Sequence, residues 1–146
     1  MKQVANNRKA RFNYVIEEEI EVGIMLLGSE VKSIRDGKIN INDGYVAEQN
    51  GLMLLLNVHI AEYKGANKFN HSPLRPRQIL LHKKQINKLL GKMHIKGLSL
   101  IPLSVYFNGR NMVKVNLGVC KGKKLYDKRA SIKERDEKRN QAREGE

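Results

Sequence analysis

The segment from residue 103 to residue 119 constrains the fold more than any other part of the chain. Apolar side chains occupy alternate positions in 103–107 and again in 113–119, and the dipeptide Asn108-Gly109 lies between the two runs. Alternation with a period of two predicts strands with one buried face, and Asn-Gly is a dipeptide that hairpin turns favour. We therefore predict an antiparallel β-hairpin here.

The rest of the chain adds further short strands and two helices. Residues 45–47 and 52–60 flank Asn50-Gly51, which predicts a second hairpin. Alternating apolar residues also predict strand from Phe12 to residue 24. A short helix is predicted to begin at a Ser29 cap and to end at Gly37.

A second helix is predicted over residues 78–93, where Ile79, Ile86, Leu90 and Met93 recur at helical spacing. Short strands without a βαβ rhythm indicate a mainly β fold with flanking α-helices, an OB-like antiparallel β-barrel. We assign residues 1–120 to this barrel, with residues 1–11 as a flexible basic arm.

The composition changes after Cys120. Residues 121–146 contain ten Lys and Arg against six Asp and Glu, but few large apolar side chains. Burial of so little apolar surface cannot offset the conformational entropy lost on ordering the segment. We therefore expect the tail to be disordered when no partner is bound. Ser131 and Glu134 form a capping-box pattern, so the tail is also expected to become helical on a partner.

Charge indicates the class of partner. The chain carries 28 Lys and Arg against 15 Asp and Glu, a formal net charge of +13. Such a basic chain usually binds a polyanion, because neutralising phosphates releases condensed counterions. The longest apolar run, residues 52–56, is far too short to span a bilayer, and the N-terminus lacks the apolar stretch of a signal peptide. We expect a cytoplasmic nucleic-acid-binding protein that does not engage membranes.

Sites for metals or catalysis are weakly indicated. The single Cys120 is expected to be a packed side chain, and the four histidines lack metal-ligand spacing. No metal and no cofactor is expected. The carboxylates of Glu17, Glu18, Glu19 and Glu21 could support a magnesium-dependent nuclease, an alternative that stays open although nothing nearby supplies a nucleophile.

Two basic segments are candidate RNA-binding sites. In the N-terminal arm, Arg8, Lys9 and Arg11 can meet phosphate, and Phe12 can stack on a base. In the second segment, Arg75-Pro76-Arg77 would present two arginines from a stiff loop. A role of Arg75 and Arg77 in solubility alone is an equal alternative.

Four runs together resemble the small protein B family, also called the SsrA-binding protein family. They are NRKARFNYVIEEEIEVGI (7–24), GSEVKSIRDGKIN (28–40), NHSPLRPRQILLH (70–82) and GKKLYDKR (122–129). The resemblance implies an OB-like barrel that binds the tRNA-like domain of transfer-messenger RNA and brings it to the A site of a stalled ribosome. A degradation tag is then encoded, and the incomplete chain is released for proteolysis.

The resemblance also implies roles for individual residues. Those expected to hold the RNA include Asn7, Glu21, Leu80 and Gly122, with Lys32 and Arg35 as phosphate partners and Lys123 and Lys124 beside them. Those expected to contact the decoding region and mRNA channel of the small subunit are Tyr126, Asp127, Lys128, Arg129, Lys133 and Arg135. Elongation factor Tu would be contacted only indirectly, through the RNA. We expect a monomer without enzymatic activity. An ordinary ribosomal protein embedded in rRNA is the main alternative, because it would share the basic barrel and the tail.

Overall fold

A computed structural model describes residues 2–66 and 70–122. Its elements, in chain order, are β1 (Lys2–Asn6), α1 (Arg8–Asn13), β2 (Tyr14–Ile24), α2 (Gly28–Arg35), β3 (Ile39–Asn40), β4 (Tyr45–Gln49), β5 (Leu52–Leu56), β6 (His59–Ile60), β7 (Arg77–Leu80), α3 (Lys83–Met93), β8 (Leu98–Phe107) and β9 (Val113–Gly122).

Seven of the strands form one antiparallel sheet. Their order is β1-β8-β9-β2-β7-β5-β4, and β3 pairs with β6 in a separate two-stranded ladder. The sheet curls so that β4, at one edge, packs against β8 near the other edge. This arrangement confirms the expected fold class, mainly β with flanking helices around a curled antiparallel sheet.

The inner face of the sheet contains the main core. Alternate residues of β8 and β9, among them Val105, Val115 and Leu117, are buried there. A smaller cluster lies on the outer face beneath α1 and contains Ala10, Leu103 and Cys120. Burial raises the pKa of the Cys120 thiol to about 11. The expectation that Cys120 is a packed side chain is thereby confirmed. Helix α1 covers one part of the outer face of the sheet, and the rest of that face is open to solvent.

Both predicted hairpins are present, with one difference in turn geometry. Asn50 and Gly51 have φ angles of 53° and 81°, as a type I′ turn requires. The other hairpin has a longer loop, because β8 ends at Phe107 and β9 begins at Val113. In that loop the non-glycine residue with positive φ is Asn111, at 63°.

The expectation of a flexible N-terminal arm is wrong for the described residues. Residues 2–6 form β1, which pairs with β8, and α1 follows directly. The strand predicted from Phe12 therefore begins two residues later, at Tyr14. The reason is tertiary, because β8 offers an open edge that the weakly patterned segment completes.

The helix predicted over residues 78–93 is also shorter than expected. Residues 77–80 form β7, in which Arg77 and Ile79 point inward and are buried while Leu80 is exposed. The position of the apolar Ile79 fits the apolar spacing of a helix as well as that of a strand. Hydrogen-bonded pairing with β2 and β5 makes this segment a strand. Helix α3 begins only at Lys83.

Helix α2 begins earlier than expected. Its N-cap is Leu27, whose backbone N–H donates to Oε1 of Glu30 over 2.8 Å. Ser29, the cap expected from the sequence, is instead buried in the first turn, with its Oγ 2.8 Å from Nδ1 of His71. No helix within residues 2–66 and 70–122 is long and apolar enough to cross a bilayer.

Candidate RNA interface

Helix α1 is fastened to the sheet by the residue before it. Asn7 is 0% exposed, and its side-chain amide donates to the carbonyl oxygens of Ile41, at 3.2 Å, and Pro102, at 2.9 Å. Its Oδ1 accepts from the backbone N–H of Ala10. Asn7 therefore has no surface for RNA, and the expected direct contact is corrected to a positioning role for α1.

The basic residues of α1 remain accessible. Arg8 is exposed and has no partner among the described residues. Lys9 pairs with Asp43 at 2.7 Å, and Arg11 lies 3.8 Å from Glu19. Both pairs are solvent-exposed, so neither adds much stability, and phosphate can compete for either cation. Phe12, in the same helix, is half-buried.

The sheet brings the end of β9 next to α1. Gly122 pairs with Tyr14, the first residue after the helix, and the exposed Lys121 pairs with Val15. The RNA-binding residues expected near each terminus therefore lie side by side. The chain continues into residues 123–146 from this point.

Glu21 and Leu80 share the open part of the outer face. Glu21 and Gly23 are two residues apart on β2, and Gly23 pairs with Leu80. A Cβ built on Gly23 would lie 3.3 Å from Cβ of Leu80 and 3.7 Å from Nζ of Lys114. These groups therefore point to the same side of the sheet, and the 45% exposed Leu80 is an apolar contact surface beside a carboxylate and an amine.

Tyr106 holds Glu21 in place, a contact that the sequence did not reveal. Its hydroxyl donates to Oε2 of Glu21. Burial, together with this hydrogen bond and the negative charge, raises the pKa of Tyr106 to about 12. The phenol thus stays protonated and donates to Oε2 of the carboxylate, so that Oε1 can accept from a further donor.

Lys32 and Arg35 are presented at the other end of the sheet. The Lys32 ammonium lies 5.4 Å from the centroid of the Tyr63 ring, and the Arg35 guanidinium 5.6 Å from that of Phe107. Both cations stay exposed while the rings restrict them. Phe107 pairs with Lys2 at the start of β1, whereas α1 follows the other end of that strand, so Arg35 lies beside the start of β1.

The structure contradicts the RNA-binding role expected of Arg77. Its guanidinium is 0% exposed and pairs with Glu30 at 2.5 Å, while also donating to the carbonyls of Val58 and Pro73. All of this places Arg77 inside the fold, where phosphate cannot reach it. Arg75 also pairs with Glu30 at 2.5 Å but keeps 32% of its side chain exposed.

The acidic residues of β2 do not converge. Lys92 and Lys88 of α3 both pair with Glu18, and their hydrogen bonds hold the pKa of Glu18 below its ordinary value. Glu19 faces Arg11, and Glu21 accepts from Tyr106. Within residues 2–66 and 70–122 no three His, Cys, Asp or Glu side chains are grouped as metal ligands would be. The geometry thus gives the nuclease alternative no support.

Eight of the expected site residues lie outside the described residues. They are Lys123, Lys124, Tyr126, Asp127, Lys128, Arg129, Lys133 and Arg135.

Comparison with known proteins identifies the family. The sequence model of the family described as SmpB protein matches residues 4–146. The SsrA-binding protein of Rickettsia bellii (strain OSU 85-389) is 56% identical over 142 residues, which cover 97% of this chain and 94% of the relative. That of Wolbachia sp. subsp. Brugia malayi (strain TRS) is 55% identical over 143 residues, covering 98% and 96%.

A solved structure agrees with the sequence relatives. It is described as "tmRNA-SmpB: a journey to the center of the bacterial ribosome", and one chain superposes on this one with a TM-score of 0.71 at 43% identity. The match covers 86% of this chain and 87% of that one. Sequence and fold therefore agree over nearly the whole length, and the chain belongs to the SmpB protein family.

Proposed function

We propose that this chain binds the tRNA-like domain of transfer-messenger RNA and delivers it to the A site of stalled ribosomes for trans-translation. The incomplete polypeptide is thereby tagged for degradation and the ribosome is rescued. Family membership supports the proposal, because the relatives are named SsrA-binding proteins and the matching structure is described as tmRNA-SmpB of the bacterial ribosome. The protein would act in the cytoplasm, as a monomer and without catalysing a reaction.

The observation that carries the proposal is the common position of the expected RNA contacts. Arg8 and Arg11 project from α1, Gly122 lies beside that helix, and Glu21 and Leu80 occupy the open outer face of the same sheet. A folded RNA offers phosphates, ribose hydroxyls and exposed bases along its surface. Cations, a carboxylate acceptor and an apolar side chain on one side of the sheet match those three kinds of group.

We further propose a division of labour between two parts of the chain. Residues 1–120, together with Gly122, Lys123 and Lys124 at the start of the tail, would hold the tRNA-like domain, and the rest of the tail (residues 121–146) would enter the decoding region and the vacant mRNA channel of the small subunit. There the tail would become helical and stand in for the missing codon–anticodon duplex. Elongation factor Tu would be engaged only through the RNA.

Replacing Asp127, Lys128 and Arg129 together by alanine tests this division. Tagging of a nascent chain on ribosomes stalled at the end of a truncated message is expected to be abolished. Affinity for the isolated tRNA-like domain is expected to stay within about twofold, because the barrel is unchanged. An Arg8→Ala change provides the opposite pattern, weakening RNA binding first. A loss of RNA affinity in the tail variant as large as that of Arg8→Ala would contradict the division.

A further inference from the structure

A cleft of about 430 Å³ opens beside α1, on the side away from Glu21 and Leu80. It is bounded by α1, by the loop that leads into β4 and by the first residues of β8. Tyr14 and Tyr45 both line it, and Tyr45 is 45% exposed although it begins a strand. The cleft therefore offers aromatic surface to a ligand that enters from solvent.

Polar side chains without partners also line this cleft. The amides of Asn13 and Asn42 and the hydroxyl of Ser99 make no side-chain hydrogen bond to any described residue. Amides and hydroxyls both donate and accept hydrogen bonds. The lining can thus pair with a ligand edge that carries donors and acceptors side by side.

Charge at the rim completes the set. Lys9 and Asp43 form an exposed ion pair at 2.7 Å, and both line the cleft. A phosphate arriving at the rim can replace Asp43 as the partner of Lys9. Aromatic surface, unpaired amides and a cation within one cleft correspond to the base, the base edge and the phosphate of a nucleotide.

We propose that this cleft receives one unstacked nucleobase of the RNA partner, which stacks on Tyr45 and is hydrogen-bonded at its edge by Asn13 and Asn42. The inference rests on the proposed function and deepens it, because it assigns a base-binding role to residues outside the expected set. The base belongs either to the tRNA-like domain or to ribosomal RNA of the decoding region. The two sources offer the same chemistry and are separated by experiment.

The test uses the full-length chain with Tyr45→Ala, Tyr45→Phe and Asn13→Ala. Leu52→Ala is the matched control, because Leu52 is also 45% exposed, lies on the strand paired with β4 and does not line the cleft. Affinity is measured separately for the isolated tRNA-like domain and for a small-subunit decoding-region RNA.

Tyr45→Ala is expected to weaken binding to at least one of the two RNAs about tenfold, which is the size of losing one base–aromatic stack. Asn13→Ala should weaken binding to the same RNA, whereas Tyr45→Phe and Leu52→Ala should stay within twofold. The RNA that shows the loss is the source of the base.

Three results would overturn the inference. They are unchanged affinity of Tyr45→Ala for both RNAs, a loss of affinity in Leu52→Ala as large as that in Tyr45→Ala, and a loss in Tyr45→Phe as large as that in Tyr45→Ala. Failure of the proposed function is a separate result, visible in the wild-type protein alone. In that case the wild-type chain would not prefer the tRNA-like domain over an unrelated structured RNA, whatever Tyr45 does.

Discussion

Glu30 is a buried carboxylate between two arginines, and it ties three segments together. Its oxygens accept from Arg75, from Arg77 and from the backbone N–H of Leu27. Burial alone raises the pKa of this carboxyl, but those hydrogen bonds and the Arg77 charge outweigh burial, so the pKa lies below its ordinary value. The ion pair between Glu30 and Arg77 thus joins the start of α2 to β7, and the pair with Arg75 fixes the loop that precedes β7.

Glu30→Gln is predicted to lower the free energy of unfolding by about 3–5 kcal/mol at pH 7, because it leaves the buried Arg77 charge without its partner. Glu48, exposed on β4, supplies the control Glu48→Gln, which should change stability by less than about 0.5 kcal/mol. Urea unfolding measures both. A cost below 1 kcal/mol for Glu30→Gln would mean that the pair is not a structural tie.

Glu30 also makes the stability of the wild-type protein fall at acidic pH. Because the folded pKa of Glu30 lies below its unfolded value of about 4.3, its contribution is present above that pH and is lost as pH falls through the folded pKa. Urea unfolding between pH 7 and pH 3 should therefore show a smaller pH dependence in Glu30→Gln than in Glu48→Gln. Equal slopes would contradict the shift.

Tyr106→Phe tests whether the phenol orients Glu21. Loss of its hydrogen bond to a charged group is predicted to weaken binding to the tRNA-like domain about three- to tenfold, within the range for such bonds. In a Glu21→Ala background the same change should have no further effect, because Tyr106 acts through that carboxylate. Additive losses in the double variant would show that Tyr106 contacts the RNA independently.

Single residues were the hardest features to predict from sequence. The charges of Arg75 and Arg77 indicated a basic surface, yet one of them is buried because Glu30, 47 positions away from Arg77, neutralises it. Likewise Asn7 carries the signature of an exposed polar arm but is enclosed by carbonyls of Ile41 and Pro102. Such partners are distant in sequence, and neither charge nor periodicity reports them.

At the scale of elements, local signals succeeded where turn chemistry and alternation agreed. The Asn50-Gly51 hairpin and the long β8–β9 hairpin were both predicted. Segments whose structure depends on a distant partner were not, as β1 shows by completing the edge of β8. The sequence of β7 likewise predicts the start of a helix, and only its pairing with β2 and β5 makes it a strand.

Helix α1 is a six-residue element whose orientation depends on one side chain. Asn7→Ala removes its cap and the two buried hydrogen bonds that its amide donates to the carbonyls of Ile41 and Pro102. We expect the free energy of unfolding to fall by about 1–3 kcal/mol and amide hydrogen exchange in α1 to accelerate. RNA affinity should fall as well, because Arg8 and Arg11 lose their fixed position.

Asn6→Ala is the matched control for Asn7→Ala. Asn6 is adjacent and exposed, and its side chain makes no hydrogen bond to a described residue. This variant should keep wild-type stability within about 0.5 kcal/mol. Equal effects of the two variants would remove the basis for assigning the tether to Asn7.

At the scale of the whole molecule, a net charge of +13 gives attraction for any polyanion, whereas the arrangement on the sheet can give preference for one. Gly122 and the exposed Leu80 lie on one sheet, and the exposed Arg8 projects from α1, which packs on that sheet. Composition alone predicted the attraction. The arrangement required the fold, and the relatives that share the sequence are named SsrA-binding proteins.

The most direct measurement is a competition titration of the full-length chain with the tRNA-like domain of transfer-messenger RNA against an unrelated structured RNA of equal length, repeated at several salt concentrations. We predict that binding to the tRNA-like domain survives excess competitor at physiological salt, because the protein offers a carboxylate, an apolar side chain and cations at fixed positions as well as net charge. Equal affinities that fall together as salt rises would contradict the account, since they would leave only non-specific phosphate attraction.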